Sequence, residues 1–287
     1  MMEQKFILEN PESFNLVHIF ECGQCFRWNR ENDGSYTGVI KDGVLNVKEV
    51  GNNFIFKGNL SRNIKEVVYD YFDLKTNYTS LKEKLSSIDV YMKKSIEFGY
   101  GIRILNQDLW ECIISFIISA NNNIPRIKKI IEKISLNYGK EIEFNGKKYY
   151  TFPSIENLSH ASVEDLRNMG LGFRDKRVFK TTKMILNKEI DLEKLRKSDN
   201  TSYIEEELLK LDGVGEKVAN CIMLFSLKRF DTFPIDVWVR RVMNDLYIHE
   251  KEEEKVSKIK IKKIAEEKFS NYQGIAQQYL FYWKREA

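Results

Sequence analysis

The chain has 287 residues, room for about two domains of ordinary size. Its 46 Lys and Arg against 42 Asp and Glu leave a net charge of +4, which permits a polyanionic partner without demanding one. With 43% hydrophobic and 31% charged residues, four prolines and fifteen glycines, the composition excludes wholesale disorder and collagen- or linker-like chains.

Residues 1–100 read as a hairpin-rich antiparallel sheet domain. The runs CFRWN, SYTGVI, VLNVKEV and NFIFKG are punctuated by Asp33-Gly34, Asp42-Gly43 and Gly51-Asn52-Asn53, and Asp-Gly pairs accept the positive φ of tight hairpin turns. Residues 101–287 read as helical. Asp108 caps a helix with Ile113, Ile114, Phe116, Ile117 and Ile118 as buried positions, and IISFIIS is far shorter than the about 20 residues of a bilayer span. Pro125 stands in a first turn ahead of Ile127, Ile130, Ile131 and Ile134. Ser162 with Asp165 forms a capping box for a short helix ending at Met169-Gly170, and a further helix covers 177–188. Then come a helix, a glycine-containing turn and a second helix in EEELLKLDGVGEKVANCIMLFSL. The charged stretch 251–269 reads as a solvated helix, and NYQGIAQQYLFYW as a final aromatic one. The fold class is α+β. The start, MMEQKFILENPE, has no basic segment followed by a long apolar core, so no signal peptide is expected. Four cysteines in so long a chain read as reduced thiols of a cytoplasmic protein.

The chemistry concentrates in Leu211-Asp212-Gly213-Val214-Gly215-Glu216-Lys217-Val218-Ala219. Gly213 and Gly215 let a tight turn bring its backbone close to another chain, and the free N–H groups of the helix that follows make an anion site suited to a nucleic-acid phosphate. Taken alone, the segment reads equally as an ordinary αα-turn with glycine caps. Lys217 lies just inside the second helix, where the positive end of the dipole favours a neutral, nucleophilic amine; the plain alternative is a solvated surface lysine. Asp236, set in the apolar Thr232-Phe233-Pro234-Ile235-Asp236-Val237-Trp238, is a helix N-cap, a functional carboxylate, or both.

Together LDGVGEKVA and FPIDVW resemble the helix-hairpin-helix (HhH-GPD) DNA glycosylase superfamily, with Lys217 marking its bifunctional glycosylase/lyase branch. The segments Cys22-Gly23-Gln24-Cys25-Phe26-Arg27-Trp28, Ser119-Ala120-Asn121-Asn122-Asn123-Ile124-Pro125-Arg126, Gly170-Leu171-Gly172-Phe173-Arg174 and Ala276-Gln277-Gln278-Tyr279-Leu280-Phe281 narrow the resemblance to 8-oxoguanine DNA glycosylases of the eukaryotic type, also found in bacteria. The ordered set runs over nearly the whole chain.

The resemblance implies an N-terminal antiparallel sheet domain followed by a helical HhH-GPD catalytic region. In that region two helical subdomains flank a lesion pocket and the C-terminal helix folds back over it. It implies excision of 8-oxoguanine from duplex DNA with strand cleavage, on a base flipped out of the helix. Lys217 becomes the nucleophile that forms a Schiff base, and Asp236 the catalytic carboxylate. Gly23 becomes the reader of the lesion's N7 hydrogen, Gln277 the reader of its Watson–Crick edge and Phe281 the stacking ring, with Cys221 and Phe225 on the other wall. Without the resemblance, core packing and a turn account for these last residues. Asn121, Arg126 and Arg174 match contacts to the opposite base, and Phe173 an inserting wedge where eukaryotic members carry Tyr. The expected partner is double-stranded DNA containing oxidised guanine, met by a monomer without membrane association. No metal is expected at the Cys22-x-x-Cys25 pair, which lacks a second CxxC or a His cluster. No iron–sulfur cluster is expected either, since no cysteine follows Cys221. Two rivals stay open: a superfamily enzyme for another damaged base, such as an oxidised pyrimidine or alkylpurine, and a non-catalytic DNA-binding module.

Overall fold

The computed structural model describes residues 3–41, 43–252 and 255–287. Five antiparallel strands, β1 (Gln4–Glu9), β2 (Trp28–Arg30), β3 (Tyr36–Ile40), β4 (Gly43–Val50) and β5 (Asn53–Gly58), form one sheet in the order β1-β5-β4-β3-β2. Gly34 and Gly51 turn at φ +81° and +61°. At the third expected turn Asp42 lies outside the described residues. There Lys41 takes the positive φ of +47°, and Gly43 already pairs with Ile40 as the first residue of β4. Period-two alternation sorts the side chains. Tyr36, Ile40, Leu45, Val47, Phe54 and Phe56 join a core with the helices α1 (Leu16–Phe20) and α2 (Ile64–Tyr71). Val39 and Val44, register partners on the opposite face, are covered by Ile142 and Phe144.

Three features depart from the reading of the sequence. Strand β1 was not anticipated, and within CFRWN pairing begins only at Trp28, because Gln24 holds residues 22–27 as a loop: its amide donates to the Ile19 and Arg103 carbonyls and accepts from Leu105 N–H. Helices α2, α3 (Tyr78–Ser86) and α4 (Val90–Phe98) occupy ground read as sheet, each started by an Asn63, Asn77 or Asp89 side chain that accepts first-turn N–H groups. The region read as helical contains a hairpin, β6 (Glu141–Phe144) and β7 (Lys147–Tyr150), turned by Asn145 and Gly146 at φ +50° and +70°.

The remaining helices are α5 (Leu109–Ser119), α6 (Ile124–Tyr138), α7 (Ile155–Leu158), α8 (Val163–Leu166), α9 (Asp175–Leu186), α10 (Leu192–Lys197), α11 (Thr201–Leu209), α12 (Glu216–Leu227), α13 (Val237–Met243), α14 (Lys258–Phe269) and α15 (Gln273–Glu286). Asp108 caps α5, Asn123 caps α6 with Pro125 in its first turn, and Ser162 with Asp165 completes the capping box of α8. Helix α14 begins later than expected, with Glu253 and Glu254 outside the described residues, and it is not simply solvated: Ile261, Ala265 and Phe269 are buried. Helix α5, buried along most of its length, packs against α6 and α12, while α15 packs against α4 and α13.

Candidate active site

Lys217 is the second residue of α12, whose N-cap, Gly215, offers no side-chain acceptor. The first-turn N–H groups are therefore left for an external partner. Its Nζ stands 5.6 Å from the centroid of the Phe116 ring on α5. Both residues border a cavity of about 70 Å³. Cys221 and Phe225, one and two turns along α12, continue the same wall, and Phe225 stacks on Phe116 with centroids 5.6 Å apart. Cys22 and Gly23 enter from the loop before β2; Pro234, Asp236 and Val239 from the α12–α13 connection and α13; and Gln277, Gln278 and Phe281 from α15.

The polar groups around this cavity are poised. Asp236 is the N-cap of α13, its Oδ1 accepting from Val239 N–H at 2.8 Å. Burial pushes the Cys221 thiol up; the positive charge of Lys217 opposes this and the Asp236 carboxylate reinforces it, so both charged groups face one sulfur. Gln277 is 6% exposed, and its Oε1 is buried with no hydrogen-bond partner. A buried acceptor left unpaired costs about 1–3 kcal/mol, which an incoming donor would return. Gly23 holds φ +88°, open to glycine at little cost, and its backbone faces Phe281 and Arg285.

A second set of residues lies together outside the cavity. Phe173 is 54% exposed, with the Arg174 guanidinium 4.2 Å and that of Arg177 5.1 Å from its ring centroid. Arg174 is not the solvated arginine that the sequence allows. It is 2% exposed and donates to the carbonyls of Ala120, Asn121 and Leu171, tying the end of α5 to the Phe173 loop. Asn121 holds φ +52°, and Arg126 donates to the Gly170 carbonyl at 3.1 Å. The hairpin joins this set through Gly213, at φ +89°, where a Cβ would stand 2.8 Å from Arg177 Cδ.

Lys217, Asp236, Gly23, Gln277, Phe281, Cys221 and Phe225 thus border one cavity, whereas Asn121, Arg126, Phe173, Arg174, Gly213 and Gly215 do not line it. Phe116, Gln278, Pro234 and Val239 line it without having been singled out from the sequence. Size does not single this cavity out: hollows of about 580 and 570 Å³ lie elsewhere, as does one of about 320 Å³ in which Arg196 pairs with Asp108 and Lys228 with Asp73. The four cysteines are free and buried. Among the described residues, no group of three or more His, Cys, Asp or Glu could hold a metal ion, and no helix is long and apolar enough to cross a membrane.

Residues 6–113 match the 8-oxoguanine DNA glycosylase N-terminal domain, and residues 114–269 match the HhH-GPD superfamily of base excision DNA repair proteins. A probable N-glycosylase/DNA lyase of Methanothermobacter thermautotrophicus is 36% identical over 205 residues, spanning 63% of this chain and 62% of that protein's length. The N-glycosylase/DNA lyase OGG1 of Arabidopsis thaliana is 31% identical over 280 residues, 91% of this chain and 75% of its own. The structure of the Clostridium acetobutylicum 8-oxoguanine glycosylase/lyase, solved with double-stranded DNA containing cytosine opposite 8-oxoguanine, is 43% identical. It superposes with a TM-score of 0.93 over 100% of this chain and 98% of that one.

Proposed function

Because the chain belongs to the 8-oxoguanine DNA glycosylases of the HhH-GPD superfamily, we propose that it excises 8-oxoguanine from duplex DNA and then cleaves the strand at the vacated sugar, with Lys217 as nucleophile and Asp236 as catalytic carboxylate. The observation that carries this reading is the single cavity bordered by Lys217, Asp236 and the unpartnered Oε1 of Gln277.

The damaged nucleoside rotates out of the duplex, because its C1′ cannot be reached within the stack. Phe281 stacks on the purine. Gln277, an amide with both donor and acceptor, pairs with the Watson–Crick edge, and the unmet need of its oxygen is filled by a guanine N–H. The Gly23 carbonyl accepts the N7 hydrogen that oxidation adds; in undamaged guanine two lone pairs would meet there, at a cost of about 1–3 kcal/mol. As the glycosidic bond breaks, its electron pair leaves with the base and positive charge grows on the sugar, where the Asp236 carboxylate stabilises it. The Lys217 amine bonds to C1′ and the ring opens to a Schiff base. Loss of a C2′ proton then expels the 3′ oxygen by β-elimination. A neutral water could not form that imine, which is why the nucleophile is an amine.

Phe173 wedges into the stack at the vacated position, Gly213 and Gly215 present backbone N–H groups to a phosphate, and Asn121 and Arg126 face the orphaned base. Arg174 braces the Phe173 loop through its bonds to the Ala120, Asn121 and Leu171 carbonyls, and the second Nη1 hydrogen is left over for the orphaned base. Every part comes from one chain, so a monomer suffices.

Borohydride reduction tests the assignment, since it fixes a Schiff base as a covalent protein–DNA adduct. The wild-type protein should be trapped on an 8-oxoguanine duplex and Lys217→Gln should give no adduct; an undiminished adduct would remove Lys217 from its role. A panel of lesion duplexes distinguishes the related glycosylases, with base release only from an alkylpurine or an oxidised pyrimidine counting against 8-oxoguanine.

A further inference from the structure

Arg285, in the last turn of α15, takes part in none of the steps above, yet its guanidinium is held on several sides. Its Nη2 donates to the Glu21 carbonyl, and its Nε lies 2.7 Å from Glu286 Oε1. Its Cζ stands 5.3 Å from the Phe281 ring centroid and 5.8 Å from that of Tyr282. Nη1 comes within 3.1 Å of the point where a Cβ on Gly23 would sit. Two turns earlier on the same face of α15, Gln278 Nε2 donates to the Cys22 carbonyl at 3.2 Å. Segment 21–23 is therefore hung on α15 by two side chains, one at Cys22 and one at Glu21 with Gly23 beside it.

We propose that Arg285 is a positioning residue for lesion selection. By fixing Glu21 to Gly23 against Phe281, it sets the gap between the carbonyl that reads N7–H and the ring on which the purine stacks. The proposal rests on the base-reading roles given above to Gly23 and Phe281. A glycine at positive φ has more backbone freedom than any other residue, so a carbonyl presented by it keeps a fixed direction only if its neighbours are held. Hydrogen bonds weaken steeply with misalignment, and the N7–H contact separates oxidised from normal guanine, so a loose segment loses discrimination first. An arginine suits the task because its planar fork, held in a fixed geometry, can donate to a carbonyl while its flat face lies toward a ring.

Arg285→Met and Arg285→Lys provide the test, with two single-turnover reactions measured for each. One is base release from a duplex with 8-oxoguanine opposite cytosine; the other is cleavage at a preformed abasic site, which has no base to position. Arg285→Met should slow base release about tenfold to a hundredfold, the scale of a misplacement near 1 Å, and leave abasic-site cleavage near wild type. Arg285→Lys, which retains a donor for the Glu21 carbonyl, should recover part of the loss. The abasic-site reaction doubles as the control for folding. Equal loss in both reactions would make Arg285 a general structural contact and overturn the proposal, as would unchanged base release in both variants. A wild-type protein that releases some other base instead would overturn the reading of Gly23, and this proposal with it.

Discussion

In the proposed reaction Asp236 has two oxygens and two tasks. Oδ1 caps α13 through Val239 N–H, and the carboxylate charge faces the cavity that Lys217 borders. The tasks separate chemically, because asparagine caps a helix as well as aspartate does but carries no charge. Asp236→Asn should therefore melt with the wild-type protein while base release falls about a hundredfold to a thousandfold, the range for losing one preorganised electrostatic group. Asp236→Ala should show the same kinetic loss and, in addition, lower stability by about 1 kcal/mol for the missing cap. Thermal unfolding beside single-turnover kinetics distinguishes the two; an Asn variant that melts like Ala would show that charge, not the capping bond, holds the start of α13. Gln277 follows the same logic from the other side: its buried Oε1 has no partner among the described protein groups, and in the proposed reaction a base N–H pairs with it.

At the scale of elements, α5 shows how a helix at the centre of the core carries a titratable group. Glu111 lies in its first turn, where the dipole welcomes negative charge, but burial pushes its carboxyl from 4.5 up to about 7, opposed by Arg27 and reinforced by Asp108 and Glu132. The folded protein then keeps a proton that the unfolded chain releases, so the contribution of Glu111 to stability declines as pH rises from about 4.5 to about 7 and is level above. Glu111→Gln removes the decline. It should match the wild type below pH 4.5 and exceed it at higher pH by up to about 3 kcal/mol, each tenfold change in proton affinity being worth about 1.4 kcal/mol. Denaturant titrations at a series of pH values measure this, and a gain that is the same at every pH would exclude the titration as its source.

Helices of this kind were readable where caps mark them, as at Asp108 and Ser162, and the hairpin with Lys217 was readable because two glycines and a helix start coincide. The β6–β7 hairpin carried its own Asn145-Gly146 signal inside a stretch otherwise assigned to helix. Helices α2 to α4 were missed because caps at Asn63, Asn77 and Asp89 resemble loop residues until the segment after each is known to pack. The wall residue Phe116 was hidden differently: Ile113, Ile114, Phe116, Ile117 and Ile118 are all apolar and all buried, with Ser115 buried among them, so no pattern tells which side faces the cavity.

For the whole molecule, the site exists only where the two ends of the chain meet. Cys22 and Gly23 share the cavity with Gln277, Gln278 and Phe281, and these regions are joined by hydrogen bonds from Gln278 to the Cys22 carbonyl and from Arg285 to the Glu21 carbonyl, while Tyr279 Oη ties the same helix to the Ile102 carbonyl at 3.2 Å. Helix α15 is therefore both a wall of the pocket and a strut of the fold. It buries Ile275 and Tyr279 fully and Leu280 and Tyr282 nearly so. At about 1.5–3 kcal/mol for each large apolar side chain, its removal forfeits an amount comparable with the roughly 5–15 kcal/mol that holds an ordinary domain together. A chain ending at Tyr272 should lose its cooperative thermal transition and expose apolar surface, rather than persist as a stable fold lacking only a lid. Calorimetry and dye binding decide between the two outcomes. A sharp transition near the wild-type temperature would make α15 a separable cover, and the pocket would then have to be assembled anew each time the cover docked.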